Sequence, residues 1–331
     1  MTSSKNPKDS RRTCVWYAPP DFVHWNKMGS LKSIAAASKG LYRYHYKANL
    51  LARSTNTTTL RVLNTMSSAS SSSSSSATIT TLIFDVDDTL YDVGTGFTEH
   101  RGGEIVQRFM VDHLHFPTLE AAKEVRDQYF AKYHSTAKAL TVAQQEGKFP
   151  PEAPLFELDD LSTYWADNLD YGLLGPPKTE LYEALKKCPL TLVAFSNGPR
   201  KYVKRALEHL GLFDLFGDER LYAVDDVLPY CKPEKEAFET IFKNIGNPKP
   251  ENCVMVEDSM KNIRSAKALG MKTVLITGKS ESGRALPEDA PEVTDPAVDC
   301  SMETIEEFPK ILPGLWEATP AVFESKKSWK K

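Results

Sequence analysis

The chain has 331 residues and a mass of 37.0 kDa, which is enough for one or two domains with a sizeable core. Its 41% hydrophobic and 26% charged residues are ordinary for globular proteins and exclude disorder of the whole chain. No apolar run approaches the roughly 18 residues that a membrane-spanning helix needs, so we expect no membrane segment.

The net charge of −3 is an average over two unlike segments. Residues 1–77 hold eleven Lys and Arg against two acidic residues, a net charge of +9, whereas the remainder holds 30 basic and 42 acidic residues, a net charge of −12. Such an acidic body lacks the basic surface that nucleic acids require, so we expect no nucleic-acid partner. The five cysteines are scattered without zinc-site spacing, which indicates reduced thiols in an intracellular protein.

Residues 1–77 do not have the composition of a folded domain. Every residue but one in 67–76 is serine, and such a segment has too little apolar area to offset its ordering entropy. Residues 29–61 are basic and free of Asp and Glu, as in organelle transit peptides, although Trp16 and Trp25 are unusual in an amphipathic presequence. We predict a disordered extension. It is either a transit peptide, for a plastid or mitochondrial protein, or a gene-model artefact on a cytoplasmic one.

Short apolar runs from residue 78 onward predict the strands of a parallel sheet. These runs are residues 78–84, 190–195, 253–256 and 273–276. Between them lie helical periodicities, each closed by a glycine, over residues 202–210, 237–245 (opened by Pro233) and 263–269. Strands that alternate with helices predict an α/β fold with a doubly wound parallel sheet.

The alternation is interrupted between the first two strands. Residues 96–177 contain helical patterns and no convincing strand, which predicts an all-helical cap domain inserted into the sheet domain. We therefore predict a core formed by residues 78–95 and 178–320, with a helical cap over residues 96–177.

Two aspartates follow the first predicted strand. Asp85 and Asp87 stand at its carboxyl end, which is the edge where open α/β sheets bind ligands. Alternate residues of an extended segment point the same way, so both carboxylates can converge on one site. Two close carboxylates repel unless a cation lies between them or one is protonated, and either case suggests phosphate chemistry with Mg²⁺. The alternative is an Asp-rich turn without function.

Polar residues also follow the second and fourth predicted strands and precede one helix. Ser196 and Asn197 offer a hydroxyl and an amide to a phosphate oxygen, and Lys232 precedes a helix whose positive end favours anions. Glu257 and Asp258 end the fourth strand. Each signal alone is compatible with an ordinary turn or loop, but together they predict a site at one sheet edge.

In their order along the chain, these residues resemble the four motifs of the haloacid dehalogenase superfamily. The first motif is Asp85-Val86-Asp87-Asp88-Thr89-Leu90, followed by Ser196, Lys232 and Glu257-Asp258. Finer details resemble the pyrimidine 5′-nucleotidase branch: Tyr91, Cys231-Lys232-Pro233 with Ala237-Phe238, Asp258-Ser259 with Lys261-Asn262, and residues 311–316. The resemblance extends from about residue 79 to 316 and implies the superfamily's Rossmann-like core.

The resemblance implies a role for each matched residue. Asp85 would be the nucleophile that forms an aspartyl-phosphate, and Asp87 would act in turn as general acid and base. Mg²⁺ would be held by Asp85, the backbone carbonyl of Asp87, and Asp258, with Glu257 reaching its waters. The transferring phosphoryl group would be bound by Ser196, Asn197, Thr89 and Lys232. Dehalogenases of the superfamily lack the second aspartate, so Asp87 argues against dehalogenation.

The cap would face the leaving group of the substrate. Related nucleotidases have a Tyr-Gly-Thr-like or Tyr-Gly-Leu-like turn where this chain has Tyr133-His134-Ser135-Thr136, so His134 and Thr136 are candidate substrate-binding residues. The resemblance implies a Mg²⁺-dependent phosphomonoesterase for nucleoside 5′-monophosphates such as UMP or CMP. The alternatives are a phosphatase for phosphoglycolate or a sugar phosphate, a phosphomutase, or a non-catalytic phosphate-binding regulator. The sequence does not indicate an oligomeric state.

Overall fold

The fold was determined from a computed structural model, which describes residues 78–279, 286, 290–317, 321 and 323. These residues belong to one unit that spans residues 70–331. The expected N-terminal extension, residues 1–77, lies outside the described residues. Within the described part of the chain, no helix combines the length and apolarity needed to cross a membrane.

Six parallel strands form the sheet, in the order β3-β2-β1-β4-β5-β6. Their bounds are β1 (Thr81–Phe84), β2 (Thr191–Phe195), β3 (Leu221–Tyr222), β4 (Cys253–Glu257), β5 (Lys272–Ile276) and β6 (Cys300–Met302). The four predicted strands are present as β1, β2, β4 and β5, with β1 starting later than predicted. The short strands β3 and β6 were not predicted.

Helices cover both faces of the sheet. Between β1 and β2 lie α1 (Phe97–His100), a π-helical turn (Arg101–Ile105), α2 (Val106–Leu114), α3 (Leu119–Tyr133), α4 (Thr136–Gln145), α5 (Leu158–Asn168) and α6 (Thr179–Lys186). After β2 lie α7 (Arg200–His209), α8 (Phe213–Phe216), α9 (Lys235–Asn244), α10 (Met260–Ala268), α11 (Phe308–Ile311) and α12 (Gly314–Glu317). The predicted α/β fold with a helical insertion after the first strand is confirmed.

The central strand β1 is buried on both faces because the chain packs a hydrophobic cluster on each. Leu82 and Phe84 belong to the larger cluster, and Ile83 points into the cluster on the opposite face. The Phe84 ring makes edge contacts with Phe216 and Phe308, at centroid distances of 6.2 and 5.8 Å. This two-sided burial explains the continuous apolar sequence of the strand.

One predicted helix boundary is wrong. The sequence predicted that Pro233 opens the helix after Lys232, but α9 begins at Lys235. A turn precedes it, in which the Glu234 backbone N–H donates to the Cys231 carbonyl (2.8 Å) and the Glu234 carboxylate accepts from the Cys231 N–H (2.9 Å). Lys232 therefore lies in a separate loop and not at the first turn of the helix.

Candidate active site

Three carboxylates meet at the carboxyl ends of the neighbouring strands β1 and β4. Asp85 follows β1, Glu257 is the last residue of β4, and Asp258 comes next. The two strands pair in register, and the Asp85 N–H continues the ladder by donating to the Val256 carbonyl at 2.9 Å. As a result, one oxygen from each carboxylate lies within 4.8 Å of the other two.

A buried ammonium group lies against two of these carboxylates. Lys232 is only 1% exposed, and its Nζ donates to Asp85 Oδ1 (2.7 Å), Glu257 Oε2 (2.9 Å) and the Phe195 carbonyl (2.7 Å). All three ammonium hydrogens thus have acceptors. The Lys232 backbone is itself fixed by Asn197, whose Nδ2 donates to the Lys232 carbonyl (2.8 Å) while its Oδ1 accepts from the Lys232 N–H (2.9 Å).

The cluster carries more negative charge than Lys232 neutralises. Burial and then the charge of Glu257 raise the pKa of Asp85 to about 8, despite the opposing effect of Lys232. Burial and Glu257 also raise the pKa of Asp258 well above its usual range. Burial would lower the pKa of Lys232, but Asp85 and Glu257 outweigh it and raise that pKa.

Three converging carboxylates are the donor set of a hard divalent cation. Mg²⁺ takes oxygen ligands and is usually held by one or two carboxylates together with waters and phosphate oxygens. A cation among Asp85, Glu257 and Asp258 would relieve the repulsion that, together with burial, raises the pKa values of Asp85 and Asp258. The residues therefore fit the predicted magnesium ion, and a cavity of about 250 Å³ lined in part by Asp258 and Asp88 lies beside them.

Asp87 occupies a different environment from Asp85. Its Oδ1 accepts hydrogen bonds from the hydroxyls of Tyr91 (2.7 Å) and Tyr202, and its Oδ2 accepts from Arg101 Nη1 at 2.7 Å. The Ser196 hydroxyl is a further, longer donor to Oδ2, at 3.4 Å. Burial alone would raise the pKa of Asp87, but Arg101 and the two tyrosines outweigh it, so this pKa is lowered.

The other predicted phosphate-binding residues lie around the two aspartates. Ser196 is fully buried, and its Oγ also accepts from the Gly198 N–H at 2.9 Å. The Asn197 side chain is engaged with the Lys232 backbone, as described above. Thr89 is 1% exposed, and its Oγ1 is a buried polar atom without a hydrogen-bond partner among the described residues. The structure thus brings these residues to one sheet edge, and their contacts with a substrate stay predictions.

The junction between α3 and α4 brings the predicted cap residues against the sheet domain. His134 ends α3 with a φ of 52°, a left-handed conformation that favours glycine, and its Nε2 contacts Lys261 Nζ. Burial and then Lys261 lower the pKa of His134. The next residue, Ser135, donates to the Asn197 carbonyl at 3.1 Å. Thr136 is buried at the first position of α4, so both candidates lie where insertion and core meet.

Sequence reasoning did not identify the partners of Asp87. Arg101 was not singled out, and Tyr202 was interpreted only as part of the apolar face of a helix. The available signal was a basic residue followed by Gly102-Gly103 inside a helical pattern, because two glycines in a helix mark a kink or a close contact.

Comparison with known proteins agrees with the family resemblance of the sequence motifs. Residues 79–270 match the family model described as haloacid dehalogenase-like hydrolase. YhcW of Bacillus subtilis (strain 168), provisionally named a phosphatase, is 36% identical over 205 residues, which cover 61% of this chain and 84% of YhcW. A glyceraldehyde 3-phosphate phosphatase of Methanothermobacter thermautotrophicus is 27% identical over 204 residues, covering 61% of this chain and 87% of the relative.

A more distant relative is a phosphoglycolate phosphatase of Pseudomonas syringae pv. syringae. It is 24% identical over 150 residues, and the match covers 45% of this chain and 50% of the relative. The chain therefore spans half the length of that protein. Each of the three matches extends over 150 residues or more, so none of them depends only on the Asp-rich turn after the first strand.

Proposed function

Because the chain belongs to the haloacid dehalogenase-like hydrolase family, we propose that it is a Mg²⁺-dependent phosphomonoesterase. The observation that carries this proposal is Asp85 at the end of β1, within reach of the Lys232 ammonium and of a second and third carboxylate. A buried carboxylate beside a cation and a metal-binding oxygen set is suited to attack an anionic phosphate. The phosphatase names of the relatives agree with this reaction class.

In the proposed reaction, Asp85 attacks phosphorus, and the bond from phosphorus to the leaving oxygen breaks. Asp87 gives its proton to that oxygen. A water then attacks the aspartyl-phosphate and loses a proton to Asp87, and the Asp85–phosphorus bond breaks to release inorganic phosphate. Lys232 and the Ser196 hydroxyl offset negative charge around the transferred group. When bound by Asp85, Asp258, Glu257 and the Asp87 backbone carbonyl, Mg²⁺ supplies Lewis-acid charge stabilisation.

For the substrate, we propose a nucleoside 5′-monophosphate of the pyrimidine type, such as UMP or CMP. Support comes from the sequence details that resemble pyrimidine 5′-nucleotidases and from the position of His134 and Thr136 where insertion and core meet. A histidine ring can stack on or hydrogen-bond to a base. Asn197 would act on the phosphate mainly by holding Lys232 in place, since its amide is engaged there.

A second candidate is a phosphatase for a smaller phosphate ester. The relatives named as phosphoglycolate and glyceraldehyde 3-phosphate phosphatases favour it. A phosphomutase or a non-catalytic phosphate-binding protein would use the same core.

A panel of phosphate esters separates these candidates. Phosphate release is measured from UMP, CMP, AMP, 2-phosphoglycolate, glyceraldehyde 3-phosphate and 4-nitrophenyl phosphate, with Mg²⁺ and with EDTA. We expect the highest kcat/KM for UMP or CMP and no release in EDTA. A flat response to the nucleotides with rapid hydrolysis of a smaller ester would establish the second candidate. Binding of vanadate without any turnover would indicate a non-catalytic protein.

Two variants test the covalent mechanism. Asp85→Asn should abolish phosphate release because an amide is a poor nucleophile toward phosphorus. Asp218→Asn is the matched control, since Asp218 is an exposed carboxylate paired with Lys204 at the surface and should leave activity unchanged. Substantial turnover by Asp85→Asn would rule out an aspartyl-phosphate on this residue.

A further inference from the structure

The carboxylate of Asp87 is unusually well supplied with hydrogen-bond donors. An ionised carboxylate offers about four lone-pair sites. Here two tyrosine hydroxyls fill those of Oδ1, and Arg101 together with the distant Ser196 hydroxyl approaches Oδ2. The two oxygens are therefore not equivalent. Oδ1 is saturated by short contacts, whereas one of the two contacts of Oδ2 is long, at 3.4 Å.

Arg101 comes from the helical insertion and not from the sheet domain. It begins the π-helical turn Arg101–Ile105, where Gly103 leaves helical backbone angles (φ −93°, ψ −126°). Arg101 is thus the first residue of an irregular helical turn. A Cβ at Gly102 would lie 2.9 Å from Arg126 Nη2, so the second residue of the turn is tightly packed as well. Irregular helical turns of this kind frequently occur at functional sites.

The guanidinium of Arg101 contacts two aromatic side chains. Its Nη1 also donates to the Tyr202 hydroxyl at 3.0 Å, and its Cζ lies 4.9 Å from the Tyr202 ring and 5.4 Å from the Trp165 ring. The side chains of Arg101 and Asp87 are 14% and 15% exposed. An ion pair so enclosed keeps a defined geometry, unlike an exposed surface pair.

Tyr202 is contributed by α7, which follows β2 and belongs to the core and not to the insertion. It is completely buried, and its ring packs against Phe97 (6.2 Å between centroids) and Trp165 (5.5 Å). Its hydroxyl thus cannot turn away from Asp87 without moving residues of the insertion. Arg101 and Tyr202 form one unit around the carboxylate, built jointly by the insertion and the core.

We propose that Arg101 and Tyr202 are positioning residues for Asp87. Tyr202 anchors Oδ1 and Arg101 holds one side of Oδ2, so that the other side of Oδ2, which has only the long contact with Ser196, exchanges the proton with the leaving group and with water. This inference rests on the proposed phosphomonoesterase function. In the first step the proton moves from Oδ2 to the leaving oxygen as its bond to phosphorus breaks. In the second step Oδ2 takes a proton from the attacking water. The helical insertion then takes part in the chemistry itself as well as in the choice of substrate.

The test uses leaving groups of different basicity. A 4-nitrophenolate departs with little help from an acid, whereas the alkoxide of an alkyl phosphate such as a nucleoside monophosphate needs a proton. The ratio of kcat/KM for the best alkyl ester to that for 4-nitrophenyl phosphate therefore measures proton donation. Because kcat/KM covers the steps through the first departure of the leaving group, slow hydrolysis of the phosphoenzyme does not mask the effect.

Asp87→Asn provides the reference value of this ratio. We expect Asp87→Asn to lower kcat/KM for the alkyl ester by roughly 100-fold or more and that for the aryl ester by much less, the range of general acid catalysis. Tyr202→Phe and Arg101→Gln should lower the ratio in the same direction, by roughly 10-fold, and Arg101→Lys should restore part of it.

Tyr171→Phe is the matched control for Tyr202→Phe. Tyr171 is also a buried tyrosine packed on Phe97, but its hydroxyl donates to the Trp165 carbonyl at 3.1 Å, so its removal should leave the ratio unchanged. Circular dichroism and the unfolding midpoint establish that each variant is folded. If Arg101→Gln does not fold, the other two variants test the proposal, because Tyr202→Phe retains the aromatic ring and Arg101→Lys retains the positive charge.

The outcomes separate this inference from the function on which it rests. Wild-type protein without turnover, or an Asp87→Asn variant whose loss is equal for both esters, would contradict the proposed mechanism. The positioning proposal is overturned if Asp87→Asn lowers the ratio but the variants Arg101→Gln, Arg101→Lys and Tyr202→Phe leave it unchanged, or lower kcat/KM for both esters equally. Arg101 and Tyr202 would then have only a structural or substrate-binding role.

Discussion

Replacing Lys232 with methionine keeps an unbranched side chain of similar length but removes the charge that lies between Asp85 and Glu257. The ammonium makes three hydrogen bonds of 2.7–2.9 Å at a position that is 1% exposed. Removing one partner of a buried ion pair costs roughly 3–5 kcal/mol, because the remaining charge stays buried without compensation.

We expect a loss near the lower end of that range, about 3 kcal/mol. Asp85 already has a pKa raised to about 8, so it can take up a proton instead of remaining an unpaired anion. Glu257 keeps two donors when Lys232 is lost, because its Oε1 accepts from Asn262 Nδ2 (2.9 Å) and from the Ser259 N–H (3.3 Å). Both effects limit the cost of the substitution.

Urea unfolding in EDTA at pH 7.5 measures this loss, with midpoints compared at equal slope. Lys204→Met is the control, since it removes a lysine from a largely exposed pair with Asp218 and should cost no more than about 1 kcal/mol. Adding Mg²⁺ should stabilise Lys232→Met more than the wild type, because the ion binds carboxylates that have lost their internal cation. The reasoning fails if Lys232→Met loses no more stability than Lys204→Met, or if Mg²⁺ stabilises wild type and variant equally.

Three further predictions concern stability. Folding raises the pKa of Asp85 from 3.8 to about 8, so between these pH values the folded state retains a proton that the unfolded state has released. The free energy of unfolding of the wild type in EDTA should therefore fall as the pH rises, by up to about 1.4 kcal/mol per pH unit. Asp85→Asn should weaken this slope, leaving the part that the raised pKa of Asp258 contributes, and should be more stable than wild type at pH 7.5 in urea unfolding. Parallel pH dependences of the two proteins would refute it. Ser135→Ala removes the N-cap of α4 and a hydrogen bond to Asn197, and should lower the free energy of unfolding by about 1 kcal/mol; an unchanged urea midpoint would show that the cap is dispensable. Gly198→Ala would place a Cβ 2.7 Å from the Tyr202 ring, so calorimetry should show a loss of roughly 1–3 kcal/mol from overpacking, and a neutral result would mean that the ring can move.

The parts of the fold that could be predicted are those in which local pattern and burial agree. β1, β2, β4 and β5 lie inside the sheet, so each is apolar on both faces and visible as a continuous run. The edge strands β3 and β6 have only two and three residues. Runs that short carry no periodicity, and only pairing with a neighbouring strand identifies them as strands.

The site could be predicted where its residues follow strands of the sheet. Asp85, Glu257 and Asp258 come together because β1 and β4 are paired, and the position of each at a strand end was evident from the sequence. No comparable sequence rule predicts the contact between Arg101 and Asp87. It depends on the course of the insertion and on an irregular helical turn, neither of which a one-dimensional pattern specifies.

The two aspartates, two positions apart in the chain, are placed in opposite electrostatic environments. Asp85 shares its surroundings with Glu257 and Asp258 and has a raised pKa, whereas Asp87 lies against Arg101 and has a lowered one. In the proposed reaction Asp85 must be ionised to act as nucleophile and Asp87 must hold a proton to act as acid, so this arrangement is the reverse of what the first step requires. Binding can correct both, because a divalent cation at the three carboxylates lowers the pKa of Asp85, and the negative charge of a phosphate ester raises that of Asp87. Without ligands, the proton is therefore favoured on Asp85 and not on Asp87, and in the proposed reaction both metal and substrate are needed to reverse this preference.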